Sequence, residues 1–159
     1  MAIAHEAGID FPLSLVNEIS QRIPHLAKIC PASEFHIEDL HLAGGIPAIM
    51  QELSNFLNLK AKTVSGKYLA DVIKGVEVKN REIIRPVSNP YSATGGITIL
   101  FGNLAPEGSV VKSAAVAPEM LVHKGPARVF DDEEEATKAI MANKIKPNEV
   151  VVIRYEGPK

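Results

Sequence analysis

The stretch that most constrains the fold is Gly95–Val116, GGITILFGNLAPEGSVVKSAAV. Its apolar run at 96–101 is too short and too β-branched for a comfortable helix, so it predicts a strand. Two glycines and a proline in residues 102–108 end that strand, and a second strand is expected to begin at Ser109. The pattern predicts a buried pair of strands, followed at Ala114 by small residues that suit a close approach of backbone to another surface.

Length and composition exclude several classes of protein. With 159 residues, 46% of them apolar and 23% charged, the chain can bury a core and is not a disordered segment. Its formal net charge of −2, with basic residues scattered along the chain, provides no basic stripe for nucleic acid. No apolar stretch approaches the roughly 20 residues that cross a bilayer, and no signal-peptide pattern opens the sequence. A cytoplasmic protein that binds neither nucleic acid nor membrane is therefore expected.

Cys30 is the single cysteine. It excludes an internal disulfide, and alone it cannot hold zinc or an iron–sulfur cluster, which need several ligands. The cysteine lies in the apolar segment 25–31, HLAKICP, which predicts a strand. Because the sequence places no base beside it, we expect a buried structural thiol rather than a nucleophile.

Short helices are expected along the first half of the chain. One begins abruptly, without a capping residue, and ends at Gly8, as if an earlier part were cut away. A second should be capped by Ser14 and run to about Arg22, with its apolar residues on one face. A third should be capped by Ser65 and end at Gly75.

Polar chemistry concentrates in another predicted helix, over residues 34–43, which Ser33 would cap. His36 and Asp39 lie three residues apart and share one face of it, and Glu38 and His41 share another face in the same way. Such spacing can form half a metal site. A solvated ion pair is the more usual outcome and is the favoured interpretation.

The glycine pair Gly44-Gly45 should end that helix, and Pro47 should lie in the first turn of a new one that runs to about Phe56. Free N–H groups after the glycines could bind a carboxylate or phosphate. A tight helix–helix turn explains the same residues without a ligand and is favoured.

Residues 85–96, RPVSNPYSATGG, are rich in proline, glycine and small polar residues and have little to bury. They predict a linker between a mostly helical domain at 1–84 and a mostly stranded one at 97–159.

Beyond the linker, strands are expected at 125–130 and 149–155, the second of a fully buried type. Between them Asp131 should cap a helix over 132–143. The acidic run at 132–135 then lies in the first turn, where the helix dipole favours negative charge, so it does not require a metal.

Five strings, in the order found, resemble the dihydroxy-acid and 6-phosphogluconate dehydratase family. They are DLHLAGGIP at 39–47, RPVSNPY at 85–91, GGITILFGNLAPEGSVVK at 95–112, GPARVF at 125–130 and VVVIRYEGPK at 150–159. The wording NPY at 89–91 and APEMLVH at 117–123 resembles the branched-chain branch of the family more than its sugar-acid branch.

The resemblance implies an α/β fold. The chain would be an internal-to-C-terminal fragment: the helical end of the cluster-bearing α/β domain over 1–84, then the first part of a swivelling β-barrel-like (β/β/α) domain over 97–159. Family members are several times longer.

The resemblance also implies a hydro-lyase that dehydrates 2,3-dihydroxy-3-methyl acids to 2-oxo acids in valine and isoleucine biosynthesis. The family uses an iron–sulfur cluster and Mg²⁺, and its metal ligands and serine base match positions outside this chain. Neither Cys30 nor Glu156 lies in a ligand motif. We therefore expect no catalytic, cofactor-binding or metal-binding residue here, no bound cofactor and no activity of this chain alone.

Five residues remain as candidates for a pocket wall or domain interface: His36, Asp39, His41, Gly44 and Gly45. The alternatives are a sugar-acid dehydratase fragment, a non-catalytic binding or assembly module of the same fold, and an independent enzyme using His36 and Asp39 for acid–base chemistry. The expected partners are a 2,3-dihydroxy acid in the complete enzyme and further copies of the chain, joined through exposed apolar patches.

Overall fold

The computed structural model describes residues 2–157, which form a mixed α/β structure with two compact units. The first unit ends at Val116 and the second begins at Ala117. The helices are α1 (Ala2–Glu6), α2 (Leu13–Arg22), α3 (Ile37–Leu42), α4 (Gly45–Glu52), α5 (Leu69–Ile73) and α6 (Glu133–Met141). The strands are β1 (Thr98–Gly102), β2 (Ala105–Val111), β3 (Ala127–Phe130) and β4 (Val150–Ile153). Short 3₁₀ turns lie at Ser54–Phe56, Ser113–Ala115 and Pro118–Met120.

The core of the first unit forms where α3 and α4 pack against an extended segment. Leu40, Ala43 and Ala48 from the two helices meet Ile83 and Ile84, and all five are buried. Burying such aliphatic side chains contributes roughly 1.5–3 kcal/mol for each large one. The apolar dipeptide at 83–84 is therefore the centre of this unit, although the sequence indicated only a short extended stretch.

Strands β1 and β2 form an antiparallel hairpin, as predicted, with Ile99 opposite Val110 and a bulge between Leu100 and Gly102. Two details of the prediction are wrong. Strand β2 begins at Ala105 instead of Ser109, because proline and glycine are tolerated in a strand that has a free edge. The pair is also not buried: Ile99 lies in the core, but Leu100 and Val110 are 52% and 62% exposed.

The predicted helices α1 to α5 are present, but α2, α3 and α5 do not begin at the predicted serine caps. Pro12, in extended conformation, precedes α2, so Ser14 lies inside the helix. The hydroxyl of Ser65 faces that of Thr63 in a turn, at 2.9 Å, and α5 begins only after Tyr68. Neither serine therefore lies at the cap position that the sequence indicated.

Cys30 is exposed, which corrects the expectation of a buried thiol. Segment 25–31 forms only isolated bridges, His25 to Ser92 and Ala27 to Ile84, instead of a regular strand, and it turns at residues 30–31. The N–H of Cys30 donates to the carbonyl of Phe35, so a turn carries the cysteine to the surface just after the bridged residues.

The segment predicted to be a linker, 85–96, is hydrogen-bonded along the first unit. The N–H groups of Arg85, Tyr91 and Gly95 donate to the carbonyls of Leu26, His25 and Ser20. The segment is therefore hydrogen-bonded to the first unit despite its polar, proline-rich composition. The division into family domains at this segment stays a prediction.

The second unit is a strand–helix–strand motif. Strands β3 and β4 are parallel, with Ala127 opposite Val150 and Phe130 opposite Ile153. Helix α6 connects them and buries its alanine face, Ala136 and Ala139. Strand β4 is only half-buried, because the described chain covers one side of this two-stranded sheet; the expectation of a fully buried strand is wrong here.

The cap of α6 lies one residue later than predicted. Asp132 accepts the N–H of Glu135 at 2.7 Å, whereas Asp131 pairs with Arg154. Glutamates 133–135 occupy the first turn, as expected from the helix dipole. Among the described residues, no helix is long and apolar enough to cross a membrane.

Candidate functional site

The structure brings His36 and Asp39 together at the start of α3. The Asp39 carboxylate accepts the backbone N–H of His36 at 2.7 Å, and the imidazole Nδ1 lies 3.9 Å from the same oxygen. Both side chains are exposed. This is the geometry by which an acidic side chain satisfies a free N–H at a helix start. It also replaces the predicted cap at Ser33, whose hydroxyl instead accepts from Phe35 and donates to Lys28.

His41 lies at the other end of α3, beside the glycine pair. A Cβ added to Gly45 would be 4.0 Å from the His41 Nδ1 atom. Gly44 has φ +121°, and an added Cβ would lie 2.6 Å from the Ala48 side chain and 2.7 Å from the Glu77 carbonyl oxygen. The tight helix–helix turn, favoured from the sequence, is therefore present and requires glycine.

These residues do not fit a metal or an iron–sulfur cluster. Across residues 2–157 no group of three or more His, Cys, Asp or Glu side chains is placed to hold a metal ion. Cys30 is a single thiol, whereas a cluster needs several, and the Asp39 carboxylate already accepts a backbone N–H. The five predicted candidates form a helix start and a turn, not a catalytic constellation.

A second cluster, which we call the Tyr91 cluster, surrounds the ring of Tyr91 and was not predicted. The Arg85 guanidinium carbon lies 3.9 Å from the ring centre and the Lys28 ammonium 5.0 Å from it. The His25 ring lies 6.1 Å away, and the Tyr91 hydroxyl donates to the Glu82 carbonyl at 2.7 Å. Cations over an aromatic face are stabilised by the ring quadrupole.

His25 in this cluster forms part of the wall of an apolar cavity of about 470 Å³, between α2 and the segments at 23–27 and 95–97. Its Nδ1 atom is buried and has no hydrogen-bond partner among the described atoms. Burial lowers the pKa of His25; a backbone contact with Ala27 opposes this and the Lys28 charge adds to it. The imidazole is therefore held neutral more strongly than a free histidine.

The second unit has its own charged set around α6. The Arg154 guanidinium holds the pKa of Asp131 below its usual value, mainly through their hydrogen bond. The Glu156 carboxylate accepts the N–H of Glu133 at 2.8 Å. These contacts satisfy the start of α6 and connect β4 to it, so they account for the acidic run without a ligand.

The polar side chains described above hydrogen-bond to backbone groups and hold them in place. Neither the residues at the start of α3 nor the Tyr91 cluster contain a nucleophile paired with a base. The string RPVSNPY at 85–91 was one signal for the Tyr91 cluster, since it contains both Arg85 and Tyr91. The pairing with His25 and Lys28 depends on chain folding over a long sequence separation, which no local pattern reports.

Two family models match the chain in order. Residues 1–72 match the dihydroxy-acid/6-phosphogluconate dehydratase N-terminal model, and residues 82–159 match the C-terminal model. Only residues 73–81 lie outside the two matches. The matches confirm the family resemblance that the five sequence strings indicated.

Individual relatives agree with the family models. Dihydroxy-acid dehydratases from Caldanaerobacter subterraneus subsp. tengcongensis, Carboxydothermus hydrogenoformans and Acetivibrio thermocellus are 60%, 58% and 56% identical over 99% of this chain. The chain spans 29% of the length of each of these relatives. The chain belongs to the dihydroxy-acid/6-phosphogluconate dehydratase family.

Proposed function

We propose that this chain is the portion of a dihydroxy-acid dehydratase that surrounds the junction between the N- and C-terminal regions of the family. The observation that carries the proposal is the ordered match of both family models within one chain, together with 56–60% identity to enzymes named dihydroxy-acid dehydratase. The proposed role of this portion is structural: it forms part of the scaffold of the complete enzyme.

The reaction of the complete enzyme would remove water from a 2,3-dihydroxy acid. The proton leaves C2 and the hydroxyl leaves C3, which gives an enol that becomes the 2-oxo acid. The strings NPY at 89–91 and APEMLVH at 117–123 favour a branched-chain substrate over a sugar acid. We therefore assign the 2,3-dihydroxy-3-methyl acids of valine and isoleucine biosynthesis as the substrate class.

The cofactors that the family implies, an iron–sulfur cluster and Mg²⁺, do not fit the residues of this chain. One exposed cysteine cannot supply the thiolates of a cluster, and the Asp39 carboxylate is committed to the start of α3. No chemical step is therefore assigned to a residue of this chain. The reactive groups belong to the remaining length of the enzyme.

We assign residues 1–84 to the end of the cluster-bearing α/β domain and residues 97–159 to the beginning of the swivelling β-rich domain. Two features support a scaffold role for the predicted candidates: Asp39 satisfies the start of α3, and the Gly44-Gly45 turn sets the angle between α3 and α4. In the complete enzyme these residues would support a pocket wall or a domain interface without contacting the reacting atoms.

The test is a replacement in a whole enzyme. The matching segment of the Caldanaerobacter dehydratase is exchanged for this chain, and conversion of 2,3-dihydroxy-3-methylbutanoate to the 2-oxo acid is measured after cluster reconstitution with Mg²⁺. We expect activity within about ten-fold of the parent, because the exchanged positions are mostly identical.

Two further variants make the result interpretable. The exchange carrying Gly44→Ala should lose folding and activity together, and the exchange carrying Gly66→Ala, at an open position, should retain both. An exchanged enzyme that folds and binds its cluster like the parent, yet produces no 2-oxo acid, would overturn the proposal.

A further inference from the structure

One edge of β1 pairs with β2, and the other edge faces helix α2. The Asn17 carboxamide on α2 makes two hydrogen bonds to this second edge. Its Oδ1 accepts the N–H of Ile99 at 2.7 Å, and its Nδ2 donates to the carbonyl of the same residue at 2.9 Å. A neighbouring strand would satisfy the same pair of groups in the same way.

Ser20 continues this contact one turn further along α2. Its hydroxyl donates to the Ile97 carbonyl at 2.7 Å, and its own carbonyl accepts the N–H of Gly95 at 2.6 Å. The Ser20 carbonyl is available because its intrahelical partner would be the N–H of residue 24, which is Pro24 and has none.

The spacing of helix and strand makes the match possible. Residues three apart on a helix, such as Asn17 and Ser20, have Cβ atoms about 5–6 Å apart. Alternate residues of a strand are about 6.6 Å apart and direct their N–H and C=O groups to the same edge. Ile97 lies one residue before β1, and its carbonyl, like that of Ile99, accepts from α2. One face of a helix can therefore follow one edge of a strand over two consecutive contacts.

We propose that α2 is a latch that takes the place of a neighbouring strand along the free edge of β1, with Asn17 and Ser20 as its positioning residues. The bonds join residues 82 and 77 positions apart in sequence. Helix α2 lies within the N-terminal family match and β1 within the C-terminal match, so the latch fixes the β1–β2 hairpin to the N-terminal region. The two regions are those of the family models, so the latch does not rest on the proposed function.

Two independent observations support the latch. The hairpin belongs to the same compact unit as α2, although its sequence matches the C-terminal family model. Gly95 approaches α2 so closely that an added Cβ would lie 2.7 Å from the Ser20 Oγ. Covering a strand edge with a helix also removes a template for pairing with other chains.

The test is hydrogen–deuterium exchange of the 159-residue chain, followed by peptide mass analysis. Asn17→Ala should speed exchange of hairpin amides at 97–111 by about ten-fold, since hydrogen bonds of ordinary strength are lost. Amides at 127–153, in the other unit, should be unchanged. Gln21→Ala removes an exposed carboxamide from the same helix and is the matched control. Equal hairpin exchange in the Asn17→Ala and Gln21→Ala chains would overturn the latch.

Asn17→Asp provides a second readout, the pH dependence of hairpin protection, which would not change if Asn17 only filled space. An ionised carboxylate can accept the Ile99 N–H but repels the Ile99 carbonyl, whereas the protonated acid can accept and donate as asparagine does. Corrected for intrinsic exchange, hairpin protection in this variant should recover toward that of the parent as the carboxyl is protonated.

This second variant also covers the case in which Asn17→Ala does not fold. Hairpin protection in Asn17→Asp that shows the same pH profile as the parent would overturn the latch. Neither experiment depends on dehydratase activity, so failure of the latch and failure of the proposed function are separate results.

Discussion

The first unit contains two glycine pairs, Gly44-Gly45 and Gly95-Gly96, that look alike in sequence but need glycine for different reasons. The first pair has positive φ at both residues, +121° and +66°. The second pair has ordinary φ, but each residue touches a neighbour: an added Cβ would lie 2.7 Å from Ser20 Oγ at Gly95 and 2.8 Å from Ala114 Cβ at Gly96. The first pair is required for its backbone conformation and the second for space.

The difference explains the two roles that we assign. The turn at Gly44-Gly45 sets how α3 meets α4, within the core of the unit. The pair at Gly95-Gly96 lets the chain pass between α2 and the 3₁₀ turn at Ser113–Ala115, so that β1 reaches the latch. Substitutions can separate these two explanations.

Gly44→Ala should have the largest effect, about 3–5 kcal/mol of unfolding free energy, because it adds a strained φ to a backbone clash with Glu77 and a contact with Ala48. Gly66 also has positive φ but nothing within 4 Å of an added Cβ, so Gly66→Ala should cost about 1 kcal/mol. Urea unfolding measures both. Equal losses would mean that crowding contributes nothing at Gly44.

Gly95→Ala should lower the free energy of unfolding by about 2 kcal/mol. The added methyl group displaces Ser20 and so weakens the hydrogen bond from the Gly95 N–H to the Ser20 carbonyl. Gly102 has nothing within 4 Å of an added Cβ and an ordinary φ, so Gly102→Ala is the matched control. The same urea titration, with hairpin exchange as a second readout, checks this. A Gly95→Ala chain as stable as Gly102→Ala would remove the case for close packing on α2.

Gly96→Ala should cost about 1–2 kcal/mol through overlap with Ala114. Because the clash is between two methyl groups, the double variant Gly96→Ala with Ala114→Gly should recover part of the loss, and a double-mutant cycle measures the coupling. Strictly additive losses would show that the two positions do not share the space.

The smallest effect should be a pH dependence from His25, whose ring lies 3.7 Å from the position of an added Gly96 Cβ. Burial lowers the pKa of His25 in the folded state, so the unfolded chain binds a proton more readily. The contribution of His25 to stability is therefore fully present above about pH 6.5 and is lost as the pH falls below that value. The side chain is only partly buried, so the slope should be a fraction of the roughly 1.4 kcal/mol per pH unit of one full proton.

Urea midpoints at pH 7.5 and 5.5 measure this dependence. His25→Gln should flatten the curve. Lys28, which lies near His25, should steepen the dependence, so Lys28→Gln should reduce it. A His25→Gln chain with the pH profile of the parent would contradict the assignment.

Local chemistry made part of the fold predictable. The helix breaks at Gly8, Gly44-Gly45 and Gly75 follow from residues that reach positive φ without strain. The strand–helix–strand pattern at 127–153 follows from hydrophobic runs separated by a strongly capped helix. In each case the deciding interaction lies within a few residues of the pattern.

The errors arise where several residues could fill one role. Pro12, His36 and Asp132 precede helices where Ser14, Ser33 and Asp131 were expected. Asp132 accepts a helix N–H, whereas Pro12 has no side-chain acceptor, so a residue able to cap does not by itself locate the start of a helix. The candidate site shows the same limit. His36 and Asp39 meet as predicted from three-residue spacing, but the Tyr91 cluster and the Asn17 bonds to Ile99 depend on contacts far apart in sequence.

The central claim is that this chain provides scaffold for a dehydratase whose reactive groups lie outside it. The most direct test compares the purified chain with the exchanged Caldanaerobacter enzyme, after iron–sulfur reconstitution with Mg²⁺, by bound iron and by 2-oxo acid formed from 2,3-dihydroxy-3-methylbutanoate. We predict iron and product from the exchanged enzyme and neither, above background, from the chain. Stoichiometric iron on the chain, or turnover by it unaided, would contradict the claim.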